Sequence, residues 1–123
     1  MEKFENLPLT MLNNKEHKTT ISVGNINVGH DFLKIAGPCS VESKEQIEEI
    51  AYEVKKYGAN VLRGGLYKPR SSPYSFQGLK EDGLILLQEA GKKANLLTIT
   101  EVVDAKDIDI VSKYVDILQI GAR

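Results

Sequence analysis

Tryptophan is absent from this 123-residue chain, and cysteine occurs once. A single Cys39 excludes an internal disulfide framework and fits a reducing compartment. No apolar run approaches the roughly 18 residues of a membrane span. The opening Met1-Glu2-Lys3-Phe4-Glu5-Asn6 lacks the charged-then-apolar pattern of a signal peptide. A cytoplasmic chain that neither spans nor coats a membrane is therefore expected. Charge of one sign is not in excess either: 16 Lys and Arg stand against 17 Asp and Glu, for a net charge of −1. That balance argues against a general nucleic-acid or anionic-membrane surface, which carries a cationic surplus.

What is present is the material of a globular core, 41% hydrophobic and 27% charged, enough for one small domain or part of a larger one. Residues 1–18 are polar and aperiodic and read as an N-terminal arm. Residues 19–31 alternate about Gly24-Asn25 and predict a β-hairpin, followed by a turn at Gly29-His30-Asp31. The pattern changes from residue 32 onward. Residues 32–36 form a compact apolar strand candidate ended by Gly37-Pro38. Ser43 and Gln46 have the spacing of a capping box, with Ile47, Ile50, Ala51 and Val54 at helical intervals behind them and Gly58 closing the helix. Residues 59–63 read as a second strand. Leu84, Leu87, Gly91 and Ala94 mark a second helix, with Gly83 leaving its start open. Residues 96–100 give a third strand. Asp104 caps a third helix with Ile108, Val111 and Val115 inward, and residues 116–120 give a fourth strand.

This alternation of strand and helix, with strands apolar on both faces, predicts a parallel sheet covered by helices. The fold class is α/β, with residues 32–123 reading as the first four strands of a (β/α)8 barrel. In such a barrel the carboxyl ends of the strands converge on one site. Here those ends lead to Cys39, Arg63, Glu101 and Arg123.

The densest chemistry lies between Arg63 and Gly78. Within ten residues the chain presents Arg63, Lys68 and Arg70, the hydroxyls of Ser71 and Ser72, and the backbone punctuators Gly64, Gly65 and Pro69. Guanidinium forks and an ammonium on a Gly/Pro-shaped loop suit a phosphate or carboxylate, because Arg grips either bidentately. A solvated basic loop is the alternative. Cys39, as a lone cysteine, has the ordinary reading of a small buried hydrophobe. His17 and His30 take no assigned role.

Residues Ala36-Gly37-Pro38-Cys39-Ser40-Val41-Glu42-Ser43, Lys68-Pro69-Arg70-Ser71-Ser72, Thr100-Glu101-Val102-Val103-Asp104 and Leu118-Gln119-Ile120-Gly121-Ala122-Arg123 occur in that order. Together they resemble the N-terminal half of the 3-deoxy-D-arabino-heptulosonate 7-phosphate (DAHP) synthase family, in its shorter bacterial subtype. The resemblance covers about residues 20–123. It implies a transferase of the shikimate pathway that condenses phosphoenolpyruvate with erythrose 4-phosphate. It implies a divalent metal of the Mn, Fe, Co or Zn type acting as a Lewis acid, with Cys39 as one ligand.

By the same resemblance Arg63, Lys68 and Arg123 hold phosphoenolpyruvate, and Lys68 also serves as a proton donor. Pro69, Arg70 and Ser71 hold erythrose 4-phosphate, with Ser71 in place of the Thr common there. Glu101 positions the attacking water, a salt bridge to a neighbouring Lys being the other reading. The family's His, Glu and Asp metal ligands belong to its second half, so the 123-residue chain alone is expected to be inactive. Two alternatives stand beside this reading: a fragment of a 3-deoxy-octulosonate-phosphate-type synthase, or a noncatalytic phosphate-binding half-barrel. Open strand edges further predict a homo-oligomer.

Overall fold

The computed structural model describes residues 7–66 and 80–122. It divides into two compact units, Met1–Phe32 and Leu33–Arg123.

In the first unit, β1 (Ile21–Val23) and β2 (Ile26–Val28) form an antiparallel hairpin, with Ile21 opposite Val28 and Val23 opposite Ile26. Gly24 takes φ 57° in the connecting turn, a conformation that costs a residue without Cβ little. Ser22 Oγ donates across the ladder to Asn27 Oδ1 at 2.9 Å. The next turn closes through the Asn27 carbonyl, which accepts the amides of His30 (3.1 Å) and Asp31 (2.7 Å).

The second unit is built from β3 (Ile35–Ala36), α1 (Lys44–Lys56), β4 (Val61–Arg63), α2 (Lys80–Ala94), β5 (Leu97–Val102), a 3-10 turn (Ala105–Asp107), α3 (Ile108–Val111) and β6 (Ile117–Ile120). Its four strands lie in the order β3-β4-β5-β6 and every pairing is parallel. The architecture is α/β with a parallel sheet.

Side chains alternate along each strand, so the sheet has two faces of different character. Ala36, Leu62, Val102 and Leu118 share the face that meets the helices. There they join Ile47 and Ala51 of α1, Leu84, Leu87 and Ala90 of α2, and Val111 of α3 in one apolar cluster. Gly91 allows α2 to sit close, because a Cβ there would fall 2.5 Å from Thr98 Cγ2 on β5. Ile35, Val61, Arg63, Ile99, Glu101, Ile117 and Gln119 occupy the other face. That face is apolar where the strands begin and polar where they end.

Three boundaries differ from the sequence reading. The first parallel strand covers only Ile35–Ala36, whereas Phe32 is 82% exposed and belongs to the first unit. The second helix starts at Lys80 and carries Gly83 inside its first turn, buried. The third helix is short. Asp104 Oδ1 accepts the Lys106 amide at 3.0 Å, and the Asp107 amide donates back to the Asp104 carbonyl at 3.0 Å. This winds the start as 3-10 helix, whose three-residue turn shifts the phase of the α-helical turn behind it. Ile108 is left 38% exposed, while Ile110 and Val111 meet the core.

This packing generates two predictions. Leu87 is fully buried between the sheet and α1, so Leu87→Ala is expected to cost about 2–5 kcal/mol, measured as the change in urea unfolding free energy. Helices α1 and α2 are also linked by Lys93 Nζ donating to Glu48 Oε1 at 2.7 Å. The Lys93 hydrogen bond holds Glu48 below its ordinary 4.5 and Glu48 holds Lys93 above its ordinary 10.5. The contribution is therefore present in the neutral range. It is lost as pH falls through the depressed Glu48 value and as pH rises through the elevated Lys93 value. Glu48→Gln is expected to lower the melting temperature at pH 7 and to leave it unchanged at pH 2, as followed by circular dichroism.

Candidate functional site

All four parallel strands point their carboxyl ends the same way, so the residues at and just beyond those ends gather at one side of the sheet. The Pro38–Ser40 turn comes directly after β3. Arg63 is the last residue of β4. Glu101 lies inside β5 rather than after it, because that strand runs to Val102. In register, Arg63 pairs with Ile99 and Glu101 with Gln119.

Arg63 is half-buried, and its described partners are neutral. Its Nη1 donates to the Pro38 carbonyl at 3.3 Å, and its Nε reaches Gln119 Oε1 at 3.5 Å. The guanidinium thus spans three strand ends without meeting a carboxylate among the described residues. Buried cations are normally paired or reserved for a ligand. Glu101 is half-buried too and forms no ion pair among the described residues. Its carboxylate rests against Gly121: a Cβ at 121 would collide with Oε1 of Glu101 and crowd its Cδ.

Backbone contacts hold these ends tightly together. Gly37 brings β3 against β4 so closely that a Cβ there would overlap the Arg63 carbonyl. At Gly64 a Cβ would fall 2.5 Å from Val41 Cγ2. The Val41 amide donates to the Gly65 carbonyl at 2.9 Å, and the fully buried Thr100 Oγ1 donates to the Gly64 carbonyl at 2.6 Å. Beyond this point the Lys80 amide donates to the Leu66 carbonyl at 3.1 Å. The sequence-predicted residues Lys68, Pro69, Arg70 and Ser71 of the basic loop, and Arg123, lie outside the described residues.

Cys39 is exposed at the end of β3, which removes the reading of it as a small buried hydrophobe. Ser40 beside it is the converse case: its hydroxyl is buried and has no hydrogen-bond partner among the described residues. The two histidines belong to the first unit. His17 Nδ1 accepts the Asn13 amide at 3.0 Å, and His30 lies 3.1 Å from the Asp31 carboxylate.

A cysteine sulfur suits a soft or borderline divalent metal, but such sites normally use three or four protein ligands. No group of three or more His, Cys, Asp or Glu among the described residues could hold an ion. The described donors do not fit a complete metal site. Gln119 carries no functional role in the sequence reading. Its signal lies in the period-two pattern, which sets Gln119 on β6 beside Glu101 on β5, on the face that carries Arg63.

The site belongs to the class of parallel α/β domains that present an arginine and a carboxylate at the strand carboxyl ends. The model of the DAHP synthetase I family matches residues 10–123, and the chain belongs to that family. It is 49% identical over 106 residues to phospho-2-dehydro-3-deoxyheptonate aldolase of Thermotoga maritima, a match covering 85% of this chain and 31% of the relative. A 2-dehydro-3-deoxyphosphooctonate aldolase of Fusobacterium nucleatum is 37% identical over 111 residues, covering 83% of this chain and 40% of that protein.

Among solved structures, the Thermotoga maritima DAHP synthase superposes with a TM-score of 0.80 at 48% identity, over 86% of this chain and 31% of that one. A truncated form of the Thermotoga enzyme gives 0.74 at 40% identity, over 98% of this chain and 40% of that one. The chain thus spans 31–40% of the length of these relatives.

The close approach of Gly37 to Arg63 yields the next prediction. Gly37→Ala is expected to force β3 away from β4 and lower the thermal midpoint by several degrees, more than Gly58→Ala does. Gly58 has φ 94° but meets only the tip of Lys34 at 3.5 Å. Paired melting curves check the order.

Proposed function

We propose that this chain forms part of a DAHP synthase, in which phosphoenolpyruvate condenses with erythrose 4-phosphate and water. In that reaction C3 of phosphoenolpyruvate bonds to the aldehyde carbon of the sugar, and the carbonyl π electrons move onto its oxygen. Water adds at C2 of the former enol, and the C2–oxygen bond to phosphate then breaks, releasing phosphate. The observation that carries the reading is Arg63, half-buried at a strand end and bonded only to neutral groups among the described residues.

Held from two sides by Pro38 and Gln119, the guanidinium is aimed before any anion arrives, so little is lost in ordering it on binding. Arg63 grips an anionic group of phosphoenolpyruvate. Lys68 and Arg123 complete that grip, with Lys68 donating a proton, and Pro69, Arg70 and Ser71 hold the sugar phosphate. Glu101, on the adjacent strand, orients the water through its carboxylate. Cys39 contributes one thiolate toward a divalent metal of the Mn, Fe, Co or Zn type, whose other ligands are not among the described residues.

Support for the heptulosonate substrate over the octulosonate one comes from the relatives. The Thermotoga DAHP synthase matches at 49% identity, while the Fusobacterium octulosonate protein matches at 37%. The half-barrel reading of residues 32–123, the cytoplasmic location and the homo-oligomer belong to the same proposal. The last rests on β3 and β6, each paired on one side only among the described residues, since an unpaired apolar strand recruits a partner.

Arg63 gives the test. A charge-assisted hydrogen bond is worth roughly 1.5–3 kcal/mol, so Arg63→Ala is expected to weaken phosphoenolpyruvate binding about tenfold or more. Isothermal calorimetry of both proteins reads this directly. Equal affinity in the two would remove Arg63 from the site.

A further inference from the structure

The side chain of Gln46 does more than a capping box asks of it. In a capping box the residue at the third helical position reaches back to the amide of the N-cap. The first half of the motif is present, with the Gln46 amide donating to Ser43 Oγ at 3.1 Å. The second half is displaced. Gln46 Oε1 accepts the amide of Glu42 at 2.8 Å, one residue before the cap, and Gln46 Nε2 donates to the carbonyl of Ser40 at 3.0 Å. One primary amide therefore clasps the backbone on both sides of Val41. The turn it clasps carries Cys39, and the Pro38 carbonyl that anchors Arg63 at 3.3 Å.

We infer that Gln46 is a positioning residue: it sets the Pro38–Glu42 turn, and through it the direction of Cys39 and the anchorage of Arg63. The chemistry selects an amide at this position. A carboxylate accepts the Glu42 amide as well as Gln46 does, and it suits the first turn of a helix electrostatically. It cannot donate to the Ser40 carbonyl. Gln46→Glu thus keeps the helix start and opens one side of the clasp, which separates turn setting from helix capping. Ser43→Ala does the reverse, weakening the cap and leaving both clasp bonds in place.

Because Cys39 is the single cysteine of the chain, alkylation by iodoacetamide reads this one thiol. Gln46→Glu is expected to hold the thermal midpoint within about two degrees and to speed alkylation at least threefold. Ser43→Ala is expected to lower the midpoint and leave the alkylation rate within twofold. If alkylation instead tracks the midpoint in both variants, Gln46 is only a helix cap and the inference fails. The unmodified chain supplies a check that needs no variant. The Glu42 amide is expected to exchange with deuterium at least tenfold more slowly than an unprotected amide, and exchange at the unprotected rate overturns the clasp. The Arg63 part rests on the proposed phosphoenolpyruvate site, and its probe is phosphoenolpyruvate affinity, expected to fall at least threefold in Gln46→Glu. Unchanged affinity beside faster alkylation removes the effect on Arg63. Absence of binding in the unmodified chain counts against the phosphoenolpyruvate site, while alkylation and exchange still decide Gln46.

Discussion

Everything at the carboxyl end of the sheet depends on β4 and β5 lying parallel and in register. Val61 pairs with Leu97 and Arg63 with Ile99. That register fixes which side chains face the helices and which face away, and a slip of one residue would exchange the two sets. It would bring Leu62 out of the apolar cluster and send Arg63 into it, an arrangement no cation tolerates unpaired. The hydrophobic demand of α1 and α2 for Leu62 and Val102 thus keeps Arg63 and Glu101 on the opposite face.

The glycines at the strand ends complete this constraint. Gly37 and Gly64 remove side chains where β3, β4 and the Val41 segment converge. The saved space is taken up by hydrogen bonds to the backbone, Val41 to Gly65 and Thr100 to Gly64. Three successive segments are thereby locked at distances no larger residue permits. The polar groups stand on a floor that cannot shift without breaking several bonds together, which is the support a binding constellation requires.

Much of this is legible in the sequence because it rests on periodicity. Ile47 and Ala51, and Leu84 and Leu87, fall at helical spacing and are buried as that spacing predicts. Arg63 and Glu101 are legible as strand-end groups. The features that escape the sequence depend on which partner a polar group selects. Nothing in the string of residues shows that Gln46 reaches past Ser43 to Glu42 and Ser40, since a capping box reads the same in either geometry. Gln119 sits inside a recognised motif without a role, because its value comes from a contact across two strands. Counting 3.6 residues per turn from Asp104 points Ile108 inward, but the 3-10 turn ahead of it resets the count. Phe32 resembles the start of a strand on apolarity alone, whereas the chain pairs only from Ile35.

The helix-free face has an electrostatic consequence beyond its contacts. Val61, Ile99 and Ile117 form an apolar layer below Arg63 and Glu101, so field lines from both charges are turned away from the layer toward the strand ends. The charges lie on neighbouring strands and are offset along them, so the field of these two side chains taken together is lopsided, positive on the β4 side and negative on the β5 side. Their joint pull on an anion therefore carries a turning component as well as an attraction, and salt confines it to the last ~8–10 Å of approach.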